Sequence, residues 1–306
     1  MKSFFPPLLF LAAGAVSVPA AEDGAPSPGS DVAVAEIAAA RERLMLKDGL
    51  RDVLARRAAF YAEAETLSEN ERSRRASDIA SRFETLLARF PESAPALFCF
   101  AEFLRDGGET ARAEELLLRA EKIDPDFSAA QFLLGEILAA GKSPEKAFPR
   151  FSAAVRTAPD AADFHLGFGE YLTDFREVLL EKGIFSSRAA LDAAMLGEFR
   201  AACAVAPADV DARARFAQAF YDAENPDWNA ALSAWNAVGA LAEKNGAPAG
   251  GLLRASVALH RARALAELGR LDEAEALLRG DAAGVPALER SRREVFEIIS
   301  EKRNLP

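Results

Sequence analysis

Apolar residues recur at helical spacing along most of the chain, and the stripes break at regular intervals. Leu97, Phe100, Ala101 and Leu104 share one face of a predicted helix, and Ala113, Leu117 and Ala120 share one face of the next. Gly107-Gly108 separates the two, and Asp124-Pro125 ends the second. Adding 34 residues reproduces the set as Gln131, Leu134, Gly135, Leu138, Ala147, Phe151, Ala154 and Pro159, with Gly141 at the turn. Pro91, Pro125 and Pro159 keep the same 34-residue step. A helix pair cannot bury both of its apolar faces alone, so such units must stack.

Weaker copies flank these two. Phe168, Gly169 and Leu172, then Met195, Phe199, Ala202 and Pro207, make a third unit. It is 14 residues too long, and Phe175 and Leu179 continue its apolar stripe, which predicts an extended first helix ending near Gly183. A fourth unit shows Phe216, Ala217 and Phe220, then Ala231, Trp235 and Val238; a fifth shows Ala258, Ala262 and Leu265, then Ala274 and Leu278. Upstream, Leu46, Leu50, Val53, Phe60, Ala64 and Leu67 predict one long helix, and Ile79, Phe83 and Leu86 the second helix of a degenerate copy. Downstream, Leu288, Val295, Phe296 and Ile299 suit a closing helix with a charged outer face.

The order of large, small and aromatic residues in these units resembles the tetratricopeptide repeat (TPR), strictly over 94–160 and loosely over 60–303. The resemblance implies an all-α, right-handed superhelical solenoid of antiparallel helix pairs. The expected organisation is N-terminal helices over 31–93, the solenoid over 94–286 and a capping helix over 287–306. It also implies that the first helices line a concave groove. The residues beside their core stripe are Phe98, Glu102 and Arg105, then Phe132 and Glu136, then Leu166 and Glu170, then Gln218 and Tyr221, then Arg263. Glu102, Glu136 and Glu170 recur every 34 residues, which predicts an exposed acidic row. The family's carboxylate-holding Lys and Asn are replaced at these sites by Phe, Leu and Glu. The expected partner is therefore a protein or peptide segment with basic and apolar side chains.

The amino terminus changes the setting. Met1-Lys2, an apolar run from Phe4 to Val18 and then Pro19-Ala20-Ala21 have the form of a secretory signal, with cleavage expected after Ala20. Residues 21–30, rich in Pro, Gly and Ser, read as a flexible tether. The protein is thus expected outside the cytoplasm, periplasmic or secreted, and no other stretch is long and apolar enough to span a bilayer.

Charge and chemistry narrow the rest. A formal charge of −10, from 37 Lys and Arg against 47 Asp and Glu, argues against duplex nucleic acid. Cys99 and Cys203 read as small buried thiols on different repeats, and with His165 and His260 they give no metal-type spacing. No cofactor motif and no nucleophile–base motif is present, so no catalytic residue is nominated. His165 falls where the family places a large core residue and reads as a core histidine. Two other readings stay open: a module for envelope polymer, with Trp228, Trp235 and Tyr221 as a sugar-stacking patch, and an enzyme with dispersed catalytic groups. For Trp235 the second-helix stripe favours core packing.

Overall fold

The structure, a computed structural model, describes residues 28–141, 143–248 and 250–304. The expected secretory signal lies outside them. Fourteen α-helices follow one another, and no strand occurs among the described residues. Two units divide the chain, one up to Arg51 and one from Asp52 onward. The first contains the leading part of helix α1 (Pro28–Glu63). That helix begins within the expected tether, because proline is well suited to a first helical position. It also stops short of Ala64 and Leu67, which lie in the turn that leads to Ser68. Ser68 accepts from the Glu71 amide while the Glu71 carboxylate accepts from Ser68, a capping box that fixes the start of α2 (Glu69–Arg89).

The second unit is a run of helix pairs: α3 (Ala94–Asp106) with α4 (Thr110–Ile123), then α5 (Ser128–Ala140) with α6 (Phe148–Thr157). Next come α7 (Ala162–Asp174) with α9 (Arg188–Val205), α10 (Val210–Asp222) with α11 (Trp228–Lys244), and α12 (Leu252–Glu267) with α13 (Leu271–Arg279). Each pair also packs on the next through its second helix. Helix α14 (Glu289–Arg303) lies against α12 and α13 and buries Val295 and Ile299. Ser93, Asp209 and Asp227 cap the starts of α3, α10 and α11 with their side-chain oxygens. Gly108, at φ 83°, makes the turn from α3 to α4 in a conformation that costs other residues a steric penalty.

The stripe residues form the core. Leu97, Ala101, Ala113, Leu117, Ala120, Leu134, Ala154, Phe199, Ala202 and Leu278 are fully buried. One detail differs from the sequence pattern. Ala147 sits in a short 3₁₀ turn, Pro144–Ala147, ahead of α6 rather than within it. Pro149 stands in the first turn of α6, where its missing N–H removes no helical bond, so the α-helix starts at Phe148. A side chain on Gly135 would first meet the Phe151 ring, at 3.2 Å, so the small residue here gives room to the aromatic ring of α6.

The long third unit is also built differently. Its first helix ends at Asp174, and the chain turns at Phe175 (φ −106°, ψ 17°) into a separate short helix, α8 (Arg176–Glu181). Gly183, at φ 68°, reverses the chain. The rest of the insertion lengthens α9 to 18 residues, against 14 in α4. Leu179 on α8 is fully buried, so the apolar stripe that suggests one continuous helix is satisfied by a broken one.

Candidate functional site

The first helices α3, α5, α7, α10 and α12 carry the residues expected to meet a partner. The three glutamates of the expected acidic row are each bound to an arginine from a neighbouring helix. Arg57 of α1 donates to Glu102 at 3.1 Å and to the Cys99 carbonyl at 3.2 Å. Arg105 of α3 donates to Glu136 of α5 at 2.8 Å, and Arg215 of α10 grips Glu170 of α7 through two nitrogens, at 2.5 and 2.9 Å. The row is therefore a ladder of ion pairs, half-buried rather than openly acidic. Sequence spacing reveals the glutamates, but the arginines stand 45, 31 and 45 residues away along the chain, beyond any local rule. Burial lifts the Glu136 carboxyl above its usual range, against the opposing pull of Arg105.

The apolar positions divide. Phe98 is half-buried, and its ring meets that of Phe127 edge-on at 5.3 Å. Leu166 is partly buried against the core. Phe132, expected beside the core, lies inside it at 6% exposure, stacked on Phe164 at 4.6 Å and edge-on to Phe151 at 5.2 Å. The missing Cβ of Gly167 leaves the room that its ring fills.

At the other end of the row, α10, α11 and α12 bring together an aromatic and cationic cluster. Trp235 stacks on His260 at 4.2 Å and 4°, Tyr221 stacks on His260 at 5.6 Å, and Trp228 leans on Tyr221 at 5.7 Å. The Arg263 guanidinium lies 4.8 Å from the Tyr221 ring centre. Tyr221 donates to the His260 carbonyl at 3.4 Å, and burial pushes its hydroxyl up to about 12. Burial, then the charge of Arg263, pushes His260 down to about 4. Gln218 is exposed nearby on α10. Trp235 is 2% exposed, so it offers no face to a sugar ring; the apolar stripe marks it as core, whereas nothing in the sequence marks His260 as its stacking partner.

The remaining chemistry-bearing residues are satisfied structurally. His165 is buried, with Nδ1 2.7 Å from Glu198 and Nε2 3.1 Å from the Pro159 carbonyl. Cys99 and Cys203 are free thiols. Burial pushes the Cys99 thiol up to about 12 and that of Cys203 upward as well. Among the described residues, no group of three or more His, Cys, Asp or Glu side chains is placed to hold a metal ion. No described helix is long and apolar enough to cross a membrane.

No family model matches the sequence, and no curated protein does. Solved structures do resemble the fold. The crystal structure of YrrB, a TPR protein with an unusual peptide-binding site, matches with a TM-score of 0.51 at 18% identity, over 74% of this chain and 100% of that one. A chain in the Naa15/Naa10 complex bound to HypK-THB matches at 0.51 and 17% identity, over 86% of this chain but only 34% of its own. PilW, a type IV pilus biogenesis factor, matches at 0.47 and 16% identity, over 78% of this chain and 98% of its own. At such identities the likeness establishes the tetratricopeptide-type fold.

Proposed function

We propose that this chain, a tetratricopeptide-type helical solenoid, is a protein-interaction module that works outside the cytoplasm and holds a partner segment along its first helices. The observation that carries the reading is the contrast along that row between ion-paired carboxylates and partly exposed groups that lie outside any ion pair. Glu102, Glu136 and Glu170 already have arginine partners, whereas Phe98, Gln218, Tyr221 and Arg263 present aromatic, amide and cationic groups that are not closed off by ion pairs. Arg263 makes no salt bridge among the described residues, and its guanidinium lies against the Tyr221 ring. A bound segment would therefore be recognised by apolar contact and by polar groups that reach Gln218 and Arg263. Any basic side chain on it would have to compete with Arg57, Arg105 and Arg215 for the glutamates. YrrB, described as a TPR protein with an unusual peptide-binding site, supports the reading by its fold. The apolar amino-terminal run followed by Pro19-Ala20-Ala21 supports export.

The test is a peptide-array screen on the chain from Ala21 onward, repeated with Phe98→Ala, with Tyr221→Ala and with a Glu114→Gln, Glu115→Gln control on α4. Loss of peptides in the first two, with retention in the control, is expected. Equal binding by all would remove the first-helix face from consideration.

A further inference from the structure

We infer a second docking surface on this protein, between the second helices α9 and α11, that receives an acidic and apolar helix of a partner protein. A groove of ≈ 490 Å³ lies there, and its floor is formed by Phe216 and Phe220 of α10 with the buried Cys203 of α9. Two arginines line it and no carboxylate does. Arg200 is exposed, with its guanidinium 6.0 Å from the Phe216 ring centre. Arg213 donates its Nε to the Pro207 carbonyl at 2.8 Å, which leaves its terminal nitrogens. Neither makes a salt bridge among the described residues. Asp209, just ahead of α10, caps that helix by accepting from the Asp211 and Ala212 amides. On a chain of net charge −10 this is a local reversal of sign.

Two other pairs of second helices in the same molecule are bridged by ion pairs. Between α2 and α4 a smaller groove of ≈ 360 Å³ is crossed by Arg112, which donates to Glu84 on the opposite wall at 3.0 Å. Between α4 and α6 the crossing is Arg150 to Glu121. Across α9 and α11 there is no such bridge among the described residues. The wall of α11 instead presents Ala230, Ser233, Ala234 and Ala237, one helical stripe of small side chains, faced by Ala204 on α9.

Those walls determine the occupant. Two helices have their backbone groups internally bonded, so they offer no free N–H or C=O edge to an extended strand laid over an apolar floor. A helix brings its own hydrogen bonds, and small wall residues let it approach closely. An apolar side chain of that helix would cover Phe216 and Phe220, and an Asp or Glu one turn away would meet Arg200 and Arg213. This surface is distinct from the first-helix row, so each can fail without the other.

The experiment selects binders from a displayed library of random peptides on the full chain and measures the selected peptides by fluorescence anisotropy and circular dichroism. The expected consensus pairs an acidic with an apolar residue three or four positions apart, and the peptides become helical when bound. Arg200→Glu with Arg213→Glu, and separately Ser233→Trp, which fills the groove from an exposed position, should each weaken binding by about tenfold or more. Glu114→Gln with Glu115→Gln, on the outer face of α4, should not. If the double variant fails to fold, Arg200→Glu alone and Ser233→Trp decide. Selection that yields no such peptides, peptides without acidic residues, or binding unchanged in these variants overturns the proposal. So does binding of phosphatidylglycerol vesicles, lost in Arg200→Glu, without peptide binding.

Discussion

Arg105 on α3 places its Nη1 2.8 Å from the Glu136 carboxylate on α5, so one stacked repeat neutralises the charge of the next. The arginine is a quarter exposed and the glutamate about a third, a setting in which an ion pair contributes little by itself. A double-mutant cycle with Arg105→Gln and Glu136→Gln should give a coupling of about 0.5–1 kcal/mol in urea unfolding. Glu136→Gln alone should cost less than Arg105→Gln. The first removes a carboxyl that burial already disfavours, while the second leaves that carboxyl without its cation. A coupling indistinguishable from zero would mean that the ladder is solvated in solution.

His260 gives the protein an acid-side weakness. Its folded pKa is depressed to about 4 by burial under Trp235 and Tyr221 and by Arg263, from an ordinary value of 6.5. A depressed group of this kind supplies stability that is complete above 6.5 and is lost as pH falls towards 4, because the unfolded chain takes up the proton first. Glu136 acts in the opposite sense, since its raised pKa favours the folded state at low pH. Thermal unfolding from pH 7 to pH 4 should therefore show a loss that His260→Phe reduces by up to ~2–3 kcal/mol. Identical pH dependence in the variant would show that the imidazole is not the group responsible.

Glycines on the third unit test its packing by contrast. A Cβ on Gly169 would come within 2.8 Å of the Phe199 ring across the α7–α9 contact, whereas one on Gly197 of α9 would meet nothing. Gly169→Ala should cost about 1–3 kcal/mol by overpacking, and Gly197→Ala should be neutral or stabilise by up to ~1 kcal/mol through helix propensity. Denaturation midpoints of the two variants provide the comparison, and equal midpoints would contradict the packing.

The repeat is legible in the sequence because its signal is local. Leu97, Phe100, Ala101 and Leu104 lie within one helix, and the 34-residue step carries their pattern forward. The broken insertion is not legible, because Leu179 satisfies the same apolar stripe on a separate α8 as it would on an extended α7. The inward position of Phe132 is hidden for a similar reason. Whether a residue beside the stripe turns inward depends on Gly167 of the following repeat, which opens the space its ring fills. The ion-pair ladder joins residues far apart in sequence, so spacing can show Glu102, Glu136 and Glu170 but not their partners.

The insertion also makes a specific claim on stability through Asp192 of α9. Its side chain is 9% exposed, and it accepts from Arg188 Nε at 2.8 Å and from the Glu224 amide at 2.9 Å. Arg188 in turn donates to the Asp222 carbonyl at 2.7 Å, and Arg176 of α8 donates to the same oxygen at 3.0 Å. The two arginines thus close the carboxyl end of α10, where carbonyls lack helical partners and positive charge is favoured. Asp192→Ala would leave the Glu224 amide without its acceptor and Arg188 with only the Asp222 carbonyl and Glu177, and should cost about 1–3 kcal/mol, as an unsatisfied buried donor does. Asp192→Asn retains an acceptor for the Glu224 amide and should cost less. Hydrogen exchange separates this account from a general loss of stability. The Glu224 amide should lose protection in Asp192→Ala by more than the global change, and retain most of it in Asp192→Asn. Protection at Glu224 that merely follows global unfolding in both variants would show that Asp192 does not hold this loop.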